Sequence, residues 1–422
     1  MKIVIMGGGF GGLRLARKLM NKPGVEVLLI DRFNYHQFQP LFYQVATSGL
    51  DASNISFPFR KVFQKSKNVR YQMGTVKNID SSAKTILVDE ETVSFEALII
   101  ATGADTNFFG NKNVEQHAFP MKSTVEALQI RHRLLSNFEE ATKTDNLLER
   151  EKLLNIVIAG GGPTGVELSG AIAELRNDVL PKDYPELDFS LMKIHLMEGS
   201  PNLLGAMSEK THRDALKYLK KLGVEIHLST ILSDYDGEHA ETKDGLKIPT
   251  AMMVWAAGVK GNVPAGIDQT LLVKGNRIVV DRECRVAGLD NVFAIGDVAY
   301  MEEPAWSTGH PQVASVAIQM ADMLANNLLF VAKNSGKKQI LHFEYHDKGA
   351  MATVGRNLAV VDIPSPKLHI NGFFAWLIWM GLHLMLILGV KNRFAVFSNW
   401  LYNYFTRDQN LRLIFKAFYR ER

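Results

Sequence analysis

The stretch Ile3-Val4-Ile5-Met6-Gly7-Gly8-Gly9-Phe10-Gly11-Gly12 decides the fold. Four apolar residues read as a short buried strand, glycines follow at once, and Leu13, Ala16 and Met20 then recur at helical spacing. Asn21-Lys22-Pro23-Gly24 stops that helix with turn and breaker residues. A second apolar strand, Val25–Ile30, ends at Asp31 and closes a β-turn-α-β unit. The pattern returns further on. Asn155-Ile156-Val157-Ile158-Ala159 is a strand, Gly160-Gly161-Gly162-Pro163-Thr164-Gly165 the turn, and Val166, Leu168, Ala171, Ile172 and Leu175 the apolar face of a helix. A polar, Pro-containing insertion over 176–190 precedes another strand, Met192–Met197, which ends at Glu198.

Both units answer one physical need. A dinucleotide pyrophosphate must come within hydrogen-bonding reach of backbone amides at a helix N-terminus, and side chains would block that approach. Gly7, Gly9 and Gly12 have the required spacing, with Phe10 and Gly11 between them, and Gly160, Gly162 and Gly165 repeat it. The acid ending each second strand, Asp31 or Glu198, is suited to a ribose diol, and Glu198 would repel a 2′-phosphate, which favours NADH over NADPH. One such motif is consistent with a mere tight turn. Two, each between the right elements and each followed by an acid, imply two dinucleotides. The expected fold is therefore α/β, with two Rossmann-like dinucleotide-binding domains. Three more apolar strands end in small residues or an acid: Leu98–Gly103, Met253–Gly258 and Val292–Asp297.

Composition excludes other classes. Lys and Arg number 48 against 44 Asp and Glu in 422 residues, a net charge of +4. Residues 391–422 alone carry seven basic and two acidic side chains, net +5, which leaves the other 390 residues at −1. A near-neutral body with a basic tail argues against nucleic-acid binding, which needs a domain-wide basic footprint. Hydrophobic residues at 46% and charged residues at 22% describe an ordinary globular protein. Cys284 is the only cysteine, so no internal disulfide and no multi-thiolate metal site can form. Met1 and Lys2 lead straight into the first strand without a signal peptide, so contact with a reducing cytoplasm is expected.

With these motifs the chain resembles the two-dinucleotide-domain flavoproteins over about residues 1–330. The resemblance implies FAD in the first unit (1–110 and 265–330), NADH in the inserted second unit (111–264), and C-terminal strands and helices over 331–422. It places Arg32, His36, Val76, Ala101, Thr102, Gly103, Gly296, Asp297 and Ala317 against FAD beside the first glycines and Asp31. Pro163, Thr164, Ala257 and Gly258 join the second glycines and Glu198 around NADH. Asp297 also reads as a helix N-cap, a compatible role. Disulfide reductases of this group carry a Cys pair beside the flavin, related peroxidases one Cys, and sulfide:quinone oxidoreductases several. The stretch 31–64 has none, and Cys284 lies in Asp281-Arg282-Glu283-Cys284-Arg285-Val286, which reads as a surface strand. Electrons must then pass from flavin directly to an external acceptor.

More specific are Asp31-Arg32-Phe33-Asn34-Tyr35-His36-Gln37-Phe38-Gln39-Pro40-Leu41-Phe42-Tyr43-Gln44-Val45-Ala46, the second glycine turn running into Val166-Glu167, and His310-Pro311-Gln312-Val313-Ala314-Ser315-Val316-Ala317-Ile318-Gln319. Together they resemble the type II NADH:quinone oxidoreductases along essentially the whole chain. That resemblance implies that Gln319, Ser315 and Gln312 face the quinone. The family's usual Ala-Gln-x-Ala-x-Gln has Ser315 in place of its first Gln, which Gln312 would replace. Val313, Ala317 and Met320 also fit simple core packing of a helix, and for Ser315 core packing is the preferred reading. Glu167 stands two residues past the last glycine. Helix-dipole stabilisation worth about 0.3–1 kcal/mol is its bland reading. The resemblance places it near the nicotinamide and flavin, where it relays protons or organises the charge-transfer complex, and implies Glu167 and Gln319 as the catalytic residues. His342, Glu344 and His346 alternate as metal ligands on a strand would, but Phe343 and Tyr345 between them describe a half-buried strand, and no metal is expected.

From Phe373 the character changes. Residues 373–390 hold no formal charge and as one helix would span about 27 Å, borderline for a bilayer. Lys391 and Arg393 follow, then Trp400, Tyr402, Tyr404 and Phe405, then a predicted final helix with Leu411, Ile414, Phe415 and Phe418 on one face and Arg412, Lys416 and Arg420 on the other. Apolar and aromatic faces backed by cations suit a helix lying in an anionic membrane interface. A transmembrane helix and a buried core helix are the competing readings. The family resemblance, which implies a peripheral anchor that admits a membrane quinone from the lipid, favours the interfacial one: a peripheral protein on the cytoplasmic face of the inner (plasma) membrane, with an apolar tail that also offers a homodimer surface. A soluble NAD(P)H-dependent flavoprotein reductase with a non-quinone acceptor, and a redox sensor whose tail docks a partner, are the alternatives.

Overall fold

The computed structural model describes residues 1–333 and 340–414. They group into two compact units. Met1–Gln37, Phe57–Asp105 and Val259–Asp347 form the first; Phe38–Ser56, Thr106–Gly258 and the chain from Lys348 onward form the second. The 38–56 segment and the C-terminal residues thus belong with the inserted nucleotide unit.

In the first unit, β1 (Lys2–Met6), α1 (Phe10–Leu19), β2 (Glu26–Asp31), β3 (Val69–Met73) and β4 (Ala97–Ile100) build a five-stranded sheet with Val292–Ala294, in the order 292–294, β4, β1, β2, β3. Every pairing is parallel: Ile3 lies beside Val27 and Ala97, and Val292 beside Leu98. Parallel strands covered on both faces need unbroken apolar runs rather than alternation, and Ile3, Val4 and Ile5 expose no surface. The helix Ala314–Ala332 packs with α1, and Arg14 reaches Asp322 through two hydrogen bonds of 2.7 and 2.9 Å.

The second unit repeats the plan. β5 (Phe119–Pro120), β6 (Ile156–Ala159), α2 (Pro163–Glu174), β7 (Ile194–Met197), α3 (Glu209–Lys221), β8 (Glu225–His227) and β9 (Met252–Trp255) give a parallel sheet ordered β5-β9-β6-β7-β8. A three-stranded antiparallel sheet follows, β10 (Ala350–Gly355), β11 (Leu358–Ile363) and β12 (Leu368–Asn371), and then α4 (Gly372–Leu386) and α5 (Val390–Thr406). α2 lies directly on β10, because a Cβ at Gly170 would overlap the Val354 carbonyl.

A π-helical turn, Leu175–Val179, and a helix, Leu180–Asp183, prolong α2 into the polar insertion. The structure corrects four sequence expectations. Cys284 is not on a surface strand but fully buried in a turn at φ +66°, and burial pushes its thiol pKa far up, so it is unreactive. His342–His346 form no β-ladder, although Phe343 and Tyr345 are buried and the residues between them exposed, as alternation requires. The apolar run 373–390 is not one helix. It breaks at Ile387–Gly389, where Gly389 takes φ +82° and the Arg393 guanidinium caps the carbonyls of Met385 and Ile387, both at 2.8 Å. Leu411–Ile414 are not helical, and Phe415, Lys416, Phe418, Arg420 and Arg422 lie outside the described residues.

Candidate functional site

In the first unit the chain turns from β1 into α1 with Gly7 at φ +99°, where a Cβ would overlap the Ala101 carbonyl. Gly9 is the N-cap of α1, no side chain caps the helix, and the space beyond its Cα is open. Uncapped amides beside open space are what a pyrophosphate requires, so these residues fit a dinucleotide. Asp31 is held by the amides of Gly8 (2.6 Å) and Phe33 (2.8 Å). Arg32 stacks over the Phe33 ring at 5.1 Å. His36 donates Nδ1–H to the Gly8 carbonyl at 3.0 Å and meets Phe10 edge-on; burial lowers its pKa to about 4, so it is neutral. Ala317 packs against both Gly11 and Gly296, and Gly12 against the Gly7 carbonyl. Thr102 donates to the Asn262 carbonyl at 2.6 Å, Gly103 follows at φ +69°, and Val76 opens the strand Val76–Asp80.

Around that unit the expected quinone residues are already engaged. Gln312 donates to the Asp297 carbonyl (2.9 Å), and Ser315 shares a hydrogen bond of 2.9 Å with the Tyr345 hydroxyl. Gln319 clamps the His346 backbone with both ends of its amide, at 3.0 and 3.1 Å.

The second unit copies the cradle. Gly160 has φ +108° against the Ala256 carbonyl, Gly162 caps α2 without a side chain, and Pro163 fills the first helical position before Thr164 and Gly165. Glu198 is fixed by the amides of Gly161 (2.6 Å) and Ser200 (2.7 Å). A cleft of about 1340 Å³, including its open mouth, is lined by Gly160, Glu198, Ala257, Phe108, Phe109 and Trp255, and Gly258 accepts the Asn107 amide at its side. The three aromatic residues escaped the sequence reading because they stand outside the motif.

Glu167 is the fifth residue of α2, past the first turn, so the dipole reading fails. It is buried, and desolvation lifts its carboxyl to about 8 against the opposing Thr353 amide, which donates at 3.3 Å. The Trp379 indole N–H lies beside it and finds no hydrogen-bond geometry of its own. Two helical turns on, Glu174 shares that face; desolvation lifts it to about 7 despite the Arg356 amide at 2.5 Å. Sequence reasoning missed Glu174, although its spacing of seven from Glu167 was the available signal. Both carboxyls line a cleft of about 880 Å³ including its mouth, walled by Tyr43, Gln44, Arg356 and Trp400. Trp400 donates to Gln44 (2.7 Å), Gln44 to the Tyr43 hydroxyl (2.7 Å), and burial, then the Glu167 charge, keeps Tyr43 protonated.

The chain matches known families and proteins along nearly its whole length. Residues 1–321 match the pyridine nucleotide-disulphide oxidoreductase family and 347–408 the NDH2 C-terminal domain. The chain is 36% identical to the type II NADH:quinone oxidoreductase Ndh of Mycobacterium tuberculosis over 411 residues, 94% of this chain and 87% of that one. The chain belongs to the type II NADH:quinone oxidoreductases. A Haemophilus influenzae type II NADH:quinone oxidoreductase is 30% identical, covering 91% and 92% of the two chains. The structure of NDH2 from Plasmodium falciparum in complex with NADH has the same fold, with a TM-score of 0.87 at 22% identity, covering 98% and 99%. As a member of the family the protein uses FAD, oxidises NADH and reduces a quinone. FAD, when bound, would supply the two-electron chemistry between NADH and quinone, and the protein its binding, orientation and electrostatics.

Proposed function

We propose that this enzyme works as a peripheral protein on the NADH-supplied, cytoplasmic face of the inner (plasma) membrane, and that a lipid quinone enters the cleft walled by α2, β10 and the C-terminal helices. The carrying observation is the outer face of those helices. Phe374, Met385, Val390, Phe394 and Phe405 are 66–81% exposed, while Ala375, Trp379, His383, Val396 and Trp400 are buried on the opposite side. Contiguous exposed apolar surface of this kind needs a partner phase. α4, at 15 residues, is about 22 Å long, too short to cross a bilayer, which favours lying in its interface. Electrostatic attraction contributes less than the +5 count suggested. Arg393 is spent capping α4, Arg407 pairs with Asp178 at 3.5 Å, and Arg412 pairs with Asp183 and Asp408.

Within the proposal, the Gly7–Gly12 turn, Asp31, His36 and Ala317 hold FAD, and Gly160–Gly165 with Glu198 hold NADH. Glu167 gives the proton that quinone reduction consumes, and Glu174, opening toward the Arg407 end of the cleft, refills it. For Gln319, bound to the His346 backbone, the support for a quinone contact is the family resemblance alone; Ser315, committed to Tyr345, packs. Triple substitution Phe374→Ser, Phe394→Ser, Phe405→Ser tests the membrane reading. Binding to anionic vesicles and reduction of long-tailed quinone should fall together while a short-chain, water-soluble quinone is reduced at the parental rate. Undiminished vesicle binding would overturn it, and conversion of a dimer to a monomer without loss of vesicle binding would assign the same face to a homodimer.

A further inference from the structure

A second cluster of chemistry lies on the sheet of the nucleotide unit, apart from the carboxyl cleft. In the β7–β8 ladder His195 stands opposite Glu225, and His227 follows Glu225 by two residues, so all three side chains project from one face. His195 Nδ1 is 3.2 Å from His227 Nε2 and 3.3 Å from the nearer Glu225 carboxylate oxygen, and all three atoms lie within 4.8 Å of one another. Two nitrogens and an oxygen bound to one zinc ion at its usual bond lengths sit about 3.3–3.5 Å apart along the edges of the tetrahedron. The two distances from His195 Nδ1 match that figure, and the third edge, within 4.8 Å, needs only a side-chain adjustment of His227 or Glu225.

From this geometry we propose that His195, Glu225 and His227 form a divalent metal site of the zinc class, with water as the fourth ligand. Neutral imidazoles and one carboxylate are a donor set zinc accepts. The charged groups facing the site are Lys193 and Arg176, besides Glu225 itself. Their positive charge limits affinity and makes the Glu225 carboxylate essential. β8 is the edge of its sheet, so Glu225 is exposed and an ion has a path in. The Glu198 amide donates to the His227 carbonyl at 2.9 Å, which puts the ion next to the strand end that presents the acid of the nucleotide cradle. Sequence alternation drew attention to His342, Glu344 and His346 instead, because these three ligands are joined across strands and share no local motif.

The test uses the untagged, full-length, FAD-loaded enzyme stripped by chelator and titrated with zinc by calorimetry. One ion per chain should bind. His227→Gln and the exposed-site variant Glu225→Gln should each weaken binding by more than about 100-fold, since even outer-shell partners cost about 10–100-fold. His342→Gln should bind as the parent does. Cobalt should give the visible absorption of a tetrahedral complex, lost in both site variants. Absence of binding by the parent, or unchanged affinity in folded Glu225→Gln and His227→Gln, would overturn the proposal and leave the two histidines as a hydrogen-bonded pair.

Discussion

The two glycine-turn units share a backbone and differ in what their helices carry. Gly7 and Gly160 have φ of +99° and +108°, and the amides of Gly8 and Gly161 each hold the carboxylate of Asp31 or Glu198 at 2.6 Å. Up to that point the units are copies. α1 then exposes Arg17 and Lys18 and ties Arg14 to Asp322, as a surface helix does. α2 is buried along most of its length and places two carboxyls, Glu167 and Glu174, against β10. The same motif therefore opens a surface helix in the first unit, and in the second a helix that also walls a cleft lined by two carboxyls with raised pKa.

The largest effects should separate the two cradles. Gly7→Val, which forces a side chain into the Ala101 carbonyl, should yield protein without FAD and without activity. Gly160→Val should keep FAD, read from its visible absorbance, and lose NADH-dependent turnover. Equal FAD content in the two variants would break the assignment of one cofactor to each.

Next comes the feature the first unit lacks. Glu167→Gln should lower quinone-dependent turnover by about 100-fold, the low end for a general acid, with FAD content unchanged. Glu174→Gln should lower it by less, about 3- to 10-fold, because solvent partly replaces a relay. In the parent, kcat should fall as pH rises through about 8, where Glu167 ionises and can no longer donate, and that limb should vanish in Glu167→Gln. Stability follows the same sign. A carboxyl whose folded pKa is raised stabilises the fold below its unfolded pKa and loses that contribution as pH rises to about 8, so Glu167→Gln should gain thermal stability over the parent at pH 9 and not at pH 4.

The smallest effect concerns what fastens β11 and β12 to α3. Burial alone would lower the His369 pKa, but hydrogen bonds to Asp362 (2.7 Å) and Asp214 (3.0 Å) outweigh it and raise the pKa. That support is present while His369 is charged and fades as pH rises. His369→Gln should therefore lower Tm by about 1–3 °C at pH 6 and by less at pH 9, measured by differential scanning fluorimetry.

Both cradles were legible in the sequence because a pyrophosphate approaching a helix N-terminus constrains neighbouring residues, and the constraint is written locally in glycines and a following acid. Glu167 was legible by position, but its environment was not: the Thr353 amide and Trp379 come from segments about two hundred residues on. The 373–390 run and the aromatic cluster at Trp400 were read as an interfacial anchor, because hydropathy cannot separate an apolar face turned to lipid from one turned inward. Folding shows Trp379 and Trp400 lining the cleft, with the Trp400 indole donating to Gln44. Of the basic tail, Arg393, Arg407 and Arg412 are engaged by carbonyls and carboxylates that only folding brings to them.

Stopped-flow separation of the two half-reactions in Glu167→Gln tests the central claim most directly. Flavin bleaching by NADH should proceed at the parental rate, because the nucleotide cradle is untouched, while reoxidation by quinone should slow by about 100-fold. Parental rates in both halves, or equal slowing of both, would contradict the assignment of Glu167 to the quinone side.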